Sequence, residues 1–138
     1  MKGSQQIGRE SNRRIRVLAV GDDPGTLTLL HGVIQERRLP VDLRIVRGGF
    51  DVYVEAFEFR PEILFINGEV SEFNGIALCY WIHRTFKAPR PKVIFNMPIG
   101  PSADWTRALR AGADRFLPAP FRMEELQGIL EDLAGYPD

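Results

Sequence analysis

The chain alternates between short apolar runs and longer stretches in which apolar residues return every three or four positions. Arg16-Val17-Leu18-Ala19-Val20 is the first run, closed by Gly21-Asp22-Asp23-Pro24, and reads as a buried strand entering a loop. Asp23 before Pro24 supplies a helix N-cap followed by proline at the first helical position. Leu27, Leu30 and Ile34 then recur at helical spacing until Leu39-Pro40. A second strand is predicted over 41–46 and a second helix over 49–59. Ile63-Leu64-Phe65-Ile66 is the most apolar strand and belongs in the middle of a sheet. A third helix over 75–86 carries Ile76, Cys79, Ile82, His83 and Phe86 along one face. Lys92-Val93-Ile94-Phe95 forms a fourth strand. A fourth helix over 101–111 stops at Gly112, a C-cap signal. Phe116-Leu117 lies in a fifth strand. The helix over 122–133 closes the pattern with Leu126, Ile129, Leu130 and Leu133 on one stripe.

Five strands alternating with five helices imply an α/β domain with a parallel sheet covered on both faces. A length of 138 residues suits one such domain and is too short for two. The polar segment 1–14 reads as a flexible lead, and 15–138 as the domain.

Composition narrows the function classes. Eighteen basic residues balance eighteen acidic ones, so the basic excess of a nucleic-acid-binding surface is missing and no direct nucleic-acid partner is expected. No apolar stretch reaches the length of a membrane span, and the opening residues carry no signal core, so the expected location is cytoplasmic. Cys79, the single cysteine, reads as a buried structural thiol on its helix. His31 and His83 are 52 residues apart on different helices and show no metal-ligand pattern. There is no phosphate-cradling glycine motif, and two carboxylates after the first strand repel a flavin phosphate.

The residues after each strand carry a more specific signal. Val17-Leu18-Ala19-Val20-Gly21-Asp22-Asp23-Pro24, Pro61-Glu62-Ile63-Leu64-Phe65-Ile66-Asn67, Asn74-Gly75-Ile76-Ala77-Leu78-Cys79, Pro91-Lys92-Val93-Ile94-Phe95-Asn96 and the stretch from Ala108 to Phe121 occur in order. Together they resemble the CheY-like receiver domains of bacterial response regulators. The spacings agree as well: 44 residues from Asp23 to Asn67, 29 more to Asn96 and 23 more to Ala119. The resemblance implies a flavodoxin-like three-layer α/β/α sandwich with strand order 2-1-3-4-5. It also places a crevice at the carboxyl ends of the strands.

In the family, an aspartate ends the third strand and accepts a phosphoryl group. A threonine or serine ends the fourth, a lysine ends the fifth, and acids after the first strand hold Mg²⁺. Aspartyl phosphate chemistry requires the carboxylate as nucleophile and cations to offset charge on the phosphoryl oxygens. This chain has Asn67, Asn96 and Ala119 at those three positions. An amide cannot form an acyl phosphate, and alanine offers no cation. Asp22 and Asp23 remain, and two readings stay open for them. They could form a weak Mg²⁺ site with the carbonyl of Glu69. Alternatively, Asp23 caps the helix while Asp22 is solvated or bonded to nearby amides, such as Asn67. Val70-Ser71 replaces the family's usual Met-Pro, and Met97 stands where a small residue is usual and could partly fill the phosphate entrance. Phe116 matches the family's switch aromatic, with core packing as the alternative. The Ala119–Pro120 bond resembles a cis linkage of the family. Asn67-Gly68 is a deamidation-prone pair that could regenerate a carboxylate.

The reading is therefore a vestigial phosphoacceptor site of Asp22, Asp23, Asn67, Asn96 and Ala119 in a pseudo-receiver of a two-component phosphorelay. It is not expected to be an enzyme and requires no cofactor. Its action would run through a protein partner: a kinase, an effector domain or a second copy. The resemblance places the contact face on the fourth helix, fifth strand and fifth helix, with Trp105, Arg107, Arg110, Arg115 and Arg122. Tyr80 and Trp81 offer a second patch. The alternative is a regulatory domain whose vestigial acidic crevice takes a small ligand or cation.

Overall fold

The computed structural model describes residues 14–21, 23–47, 51–67, 75–87, 89–98 and 102–133, without the side chains of 98 and 102–105. Strands β1 (Ile15–Val20), β2 (Val41–Val46), β3 (Ile63–Asn67), β4 (Lys92–Pro98) and β5 (Arg115–Ala119) form one parallel sheet of order β2-β1-β3-β4-β5. Helices α1 (Pro24–Glu36), α2 (Asp51–Phe59), α3 (Gly75–Thr85), α4 (Ser102–Ala111) and α5 (Met123–Leu133) connect or follow them. The expected three-layer architecture and strand order are present. Of the predicted lead, only Arg14 is described; its Nη2 donates to the Val41 carbonyl at 2.7 Å.

Alternation along the central strands divides the core in two. Leu18, Val20, Leu64, Ile66, Val93 and Phe95 point toward α2, α3 and α4, where Val52, Ala56, Leu78 and Ala108 meet them. Val17, Ala19, Ile63, Phe65 and Ile94 point the other way, onto Leu30 of α1 and Leu126 and Leu130 of α5. All five residues of β3 are buried, as a strand covered on both faces must be. Trp81 belongs to this packing and is not a free patch. Its ring stands edge-on to Tyr53 at 4.9 Å and to Phe86 at 5.8 Å, while Tyr80 is exposed.

Helix ends are fixed by local chemistry. Asp23 is the N-cap of α1: its Oδ1 accepts from the Gly25 N–H at 3.2 Å and its Oδ2 from the Thr26 hydroxyl at 2.7 Å. α1 closes with Arg38 in the left-handed region, its N–H bonding to the Gln35 carbonyl and that of Leu39 to the Ile34 carbonyl. Arg122 caps α5, and the Glu125 carboxylate returns to its N–H at 2.8 Å. Glu124 in that first turn ionises below the ordinary carboxylate range, chiefly because of its own backbone N–H and secondarily because of Arg37.

The turn from α4 into β5 rests on a close approach. Gly112 has φ +111°, and a Cβ there would fall 2.2 Å from His83 Nε2. His83 joins two elements: Nε2 lies 2.9 Å from the Gly112 carbonyl and Nδ1 lies 2.8 Å from Arg90 Nη1. A guanidinium only donates, so Nδ1 accepts and Nε2 carries the proton given to Gly112. The sequence singled out Gly112 as a stop signal and missed its partner. We expect Gly112→Ala to cost about 1–3 kcal/mol in denaturant unfolding, because the left-handed backbone and the imidazole both oppose a methyl group. A second expectation concerns Cys79, which is fully buried. Burial pushes its thiol up to about 12, and the Asp114 carboxylate adds to the shift. Disulfide-exchange reagents at neutral pH should leave the folded thiol unmodified and titrate one thiol after denaturation.

Candidate functional site

Strand register brings the candidate residues together. Parallel pairing sets Asn67 opposite Asn96, and Asn96 opposite Leu117. The first loop closes on the same point. A Cβ on Gly21 would sit 2.6 Å from the Asn67 Cβ, so position 67 lies directly against the residue that precedes Asp22. Only glycine allows the β1–α1 connection to approach the end of β3 this closely.

Two amides occupy the centre of this edge. Asn96 is wholly buried and Asn67 nearly so, at 7% exposure. Asn96 Nδ2 donates to the Leu117 carbonyl at 2.9 Å, and its Oδ1 accepts a long hydrogen bond, 3.5 Å, from Asn67 Nδ2. A buried amide is tolerated only when its donors and acceptors are used. Here one side chain ties β3, β4 and β5 together by satisfying itself. A hydroxyl could not fill both roles with the same reach. The Leu117 carbonyl is a main-chain partner that no side-chain motif could have revealed. Thr26, three residues beyond Asp23, is a second partner with a visible signal in that spacing.

The remaining positions are placed as follows. Ala119 ends β5 and is half-buried, and its bond to Pro120 is cis. Phe116 is half-buried against the α2–α4 core, as is Met97. Asp22, Glu69, Val70, Ser71 and the Gly68 half of the deamidation pair lie outside the described residues. The described part of the crevice therefore offers one carboxylate, Asp23, with both oxygens engaged at its own helix start, and the Asn67 amide. Among the described residues no group of three His, Cys, Asp or Glu is arranged to hold a metal. Asp23 and Asn67 by themselves supply fewer oxygens than the six or more that a hard divalent cation takes.

On the proposed contact face, Arg107, Arg110 and Arg122 are exposed. Arg115 forms an ion pair with Asp132 of α5, so part of its charge is spent inside the domain. Leu109 on α4 is 57% exposed, an apolar residue on this face that sequence reading did not single out. The Trp105 side chain lies outside the described residues.

A receiver domain of a response regulator from Bermanella marisrubri superposes with a TM-score of 0.77 at 23% identity, covering 89% of this chain and all of that one. The fold is that of a response-regulator receiver domain. The receiver domain of a sensor histidine kinase from Pseudomonas aeruginosa, with magnesium coordinated in its active-site cleft, gives 0.77 at 21% identity over 89% of this chain and 99% of its own. Among curated proteins, the DNA-binding response regulator MtrA of Mycolicibacterium smegmatis is 25% identical over 113 residues, 82% of this chain. The uncharacterised transcriptional regulatory protein YvcP of Bacillus subtilis is 24% identical over 118 residues, 86% of this chain. The chain spans about half the length of both curated relatives, 47% and 48%. No family model matches. Among the described residues, no helix is long and apolar enough to cross a membrane.

The bridging role of Asn96 can be tested by stability. Asn96→Ala leaves the Leu117 carbonyl and the Asn67 amide without this partner in a buried setting. We expect a loss of about 1–3 kcal/mol in urea unfolding. Asn67→Ala, which removes the long bond to Asn96 and keeps the shorter Asn96–Leu117 bond, should cost less than Asn96→Ala.

Proposed function

We propose that this receiver-fold domain serves two-component signalling without accepting a phosphoryl group. The observation that carries the reading is Asn67: a neutral, buried amide ends β3 at the position where the fold's chemistry needs a carboxylate, and its Nδ2 donates to Asn96. Acyl phosphate formation begins with attack by a carboxylate oxygen, which the Asn67 side chain lacks. Ala119 supplies no ammonium group to hold a phosphoryl oxygen in place. Asp23 is committed to capping α1. The proposal therefore requires no Mg²⁺.

Signalling then runs through surface contacts. Exposed Leu109 beside the Arg107 and Arg110 positions gives α4 an apolar centre with a basic surround, a composition suited to a protein partner or a second copy. The matched stretch fills only 47% and 48% of the regulators MtrA and YvcP, which supports a role beside an effector or kinase domain.

Incubation with acetyl phosphate and Mg²⁺, followed by intact-mass measurement, tests the proposal. The expected result is an unchanged mass, with a competent receiver domain as positive control. A phosphoryl adduct on this domain would overturn the reading. The double variant Asn67→Asp/Ala119→Lys should acquire more adduct than either single change, because nucleophile and cation are both required.

A further inference from the structure

The opposite end of the sheet holds a cavity of about 320 Å³ that the vestigial site does not use. It opens at the amino ends of the three central strands, where Arg16, Glu62 and Lys92 stand at the starts of β1, β3 and β4. Its apolar lining comes from Phe86 after α3, from Leu133 at the end of α5, and from Pro61, Pro89 and Pro91.

Charge in this cavity is unbalanced. Glu62 is its one carboxylate, and it pairs with Arg16 at 3.2 Å. Arg16 is further occupied at the end of α2, its Nε donating to the Phe59 and Arg60 carbonyls at 3.1 and 2.8 Å. Arg60, Arg90 and Lys92 also line the cavity, and among the described residues no carboxylate pairs with any of them. Arg90 gives one N–H to His83, a neutral acceptor that leaves its charge uncompensated. Arg60 is held by a left-handed backbone, φ 54°, with its guanidinium stacked over Phe57 at 4.7 Å and Phe86 at 5.5 Å. Arg60, Arg90 and Lys92 are exposed and each is solvated, but grouped around an aromatic and proline-rich lining they make the mouth of the cavity attractive to an anion.

We infer that this amino-end cavity binds a small organic anion with a planar apolar body. The volume falls at the lower end of small-molecule sites, which suits a single aromatic acid or a mononucleotide. The planar body lies along the prolines and Leu133, and the anionic head sits beside Arg60, Arg90 and Lys92. The inference does not depend on the Asn67 reading, because the two sites lie at opposite ends of the same strands.

Amide NMR titration tests it with two probes that separate the head groups: adenosine 5′-monophosphate for phosphate and indole-3-acetate for carboxylate. Inorganic phosphate and adenosine serve as controls lacking the body and the charge. The expected result is saturable shifts at the Arg60, Glu62, Arg90 and Lys92 amides with at least one probe, and weaker binding of both controls. Lys92→Glu and Arg60→Asn should each raise the dissociation constant by roughly tenfold or more. Asparagine tolerates the left-handed backbone at position 60, so that variant keeps the turn. The inference is overturned if neither probe saturates, if either control binds as tightly as the probes, or if the folded variants bind unchanged.

Discussion

Parallel pairing of β3 with β4, in the register that sets Asn67 against Asn96, is the constraint on which the carboxyl edge depends. The register follows from burial: both strands are covered on two faces, so a slip of one residue would exchange the two halves of the core. Once it is fixed, an amide at 96 sits within reach of its neighbour on one side and of the Leu117 carbonyl on the other. The carboxyl ends of β3, β4 and β5 are therefore tied by the fold's own hydrogen bonds, and Gly21 brings the end of β1 against Asn67. Core packing and site chemistry are two results of the same alignment.

Much of this could be read from residue order because parallel α/β chains mark their elements strongly. The apolar runs at Val17–Val20 and Ile63–Ile66 coincide with buried strands, and β2 begins and ends where its pattern does. Asp23-Pro24 marks the first helix start through cap chemistry, which is local and so visible in a single sequence. The resemblance to receiver domains supplied the strand order, which local patterning alone does not contain. The TM-scores agree with it.

What sequence reading missed involves partners distant in the chain or on the backbone. The Leu117 carbonyl has no side-chain signature. The His83 contacts with Gly112 and Arg90 join three segments that no periodicity connects. Trp81 looked like a patch on a helical wheel, but Tyr53 from α2 covers it. The basic cavity gathers residues 16, 60, 90 and 92, which are unremarkable apart and become a site only when the strand starts align.

The span of Asn96 across three strands also limits what positions 67 and 96 can become. A threonine or serine at 96 would leave the Leu117 oxygen beyond its grasp, while an aspartate at 67 would bring a buried negative charge with no ammonium opposite. Either of these single replacements therefore begins by losing stability. The amide bridge thus couples what position 67 can tolerate to the residue held at position 96.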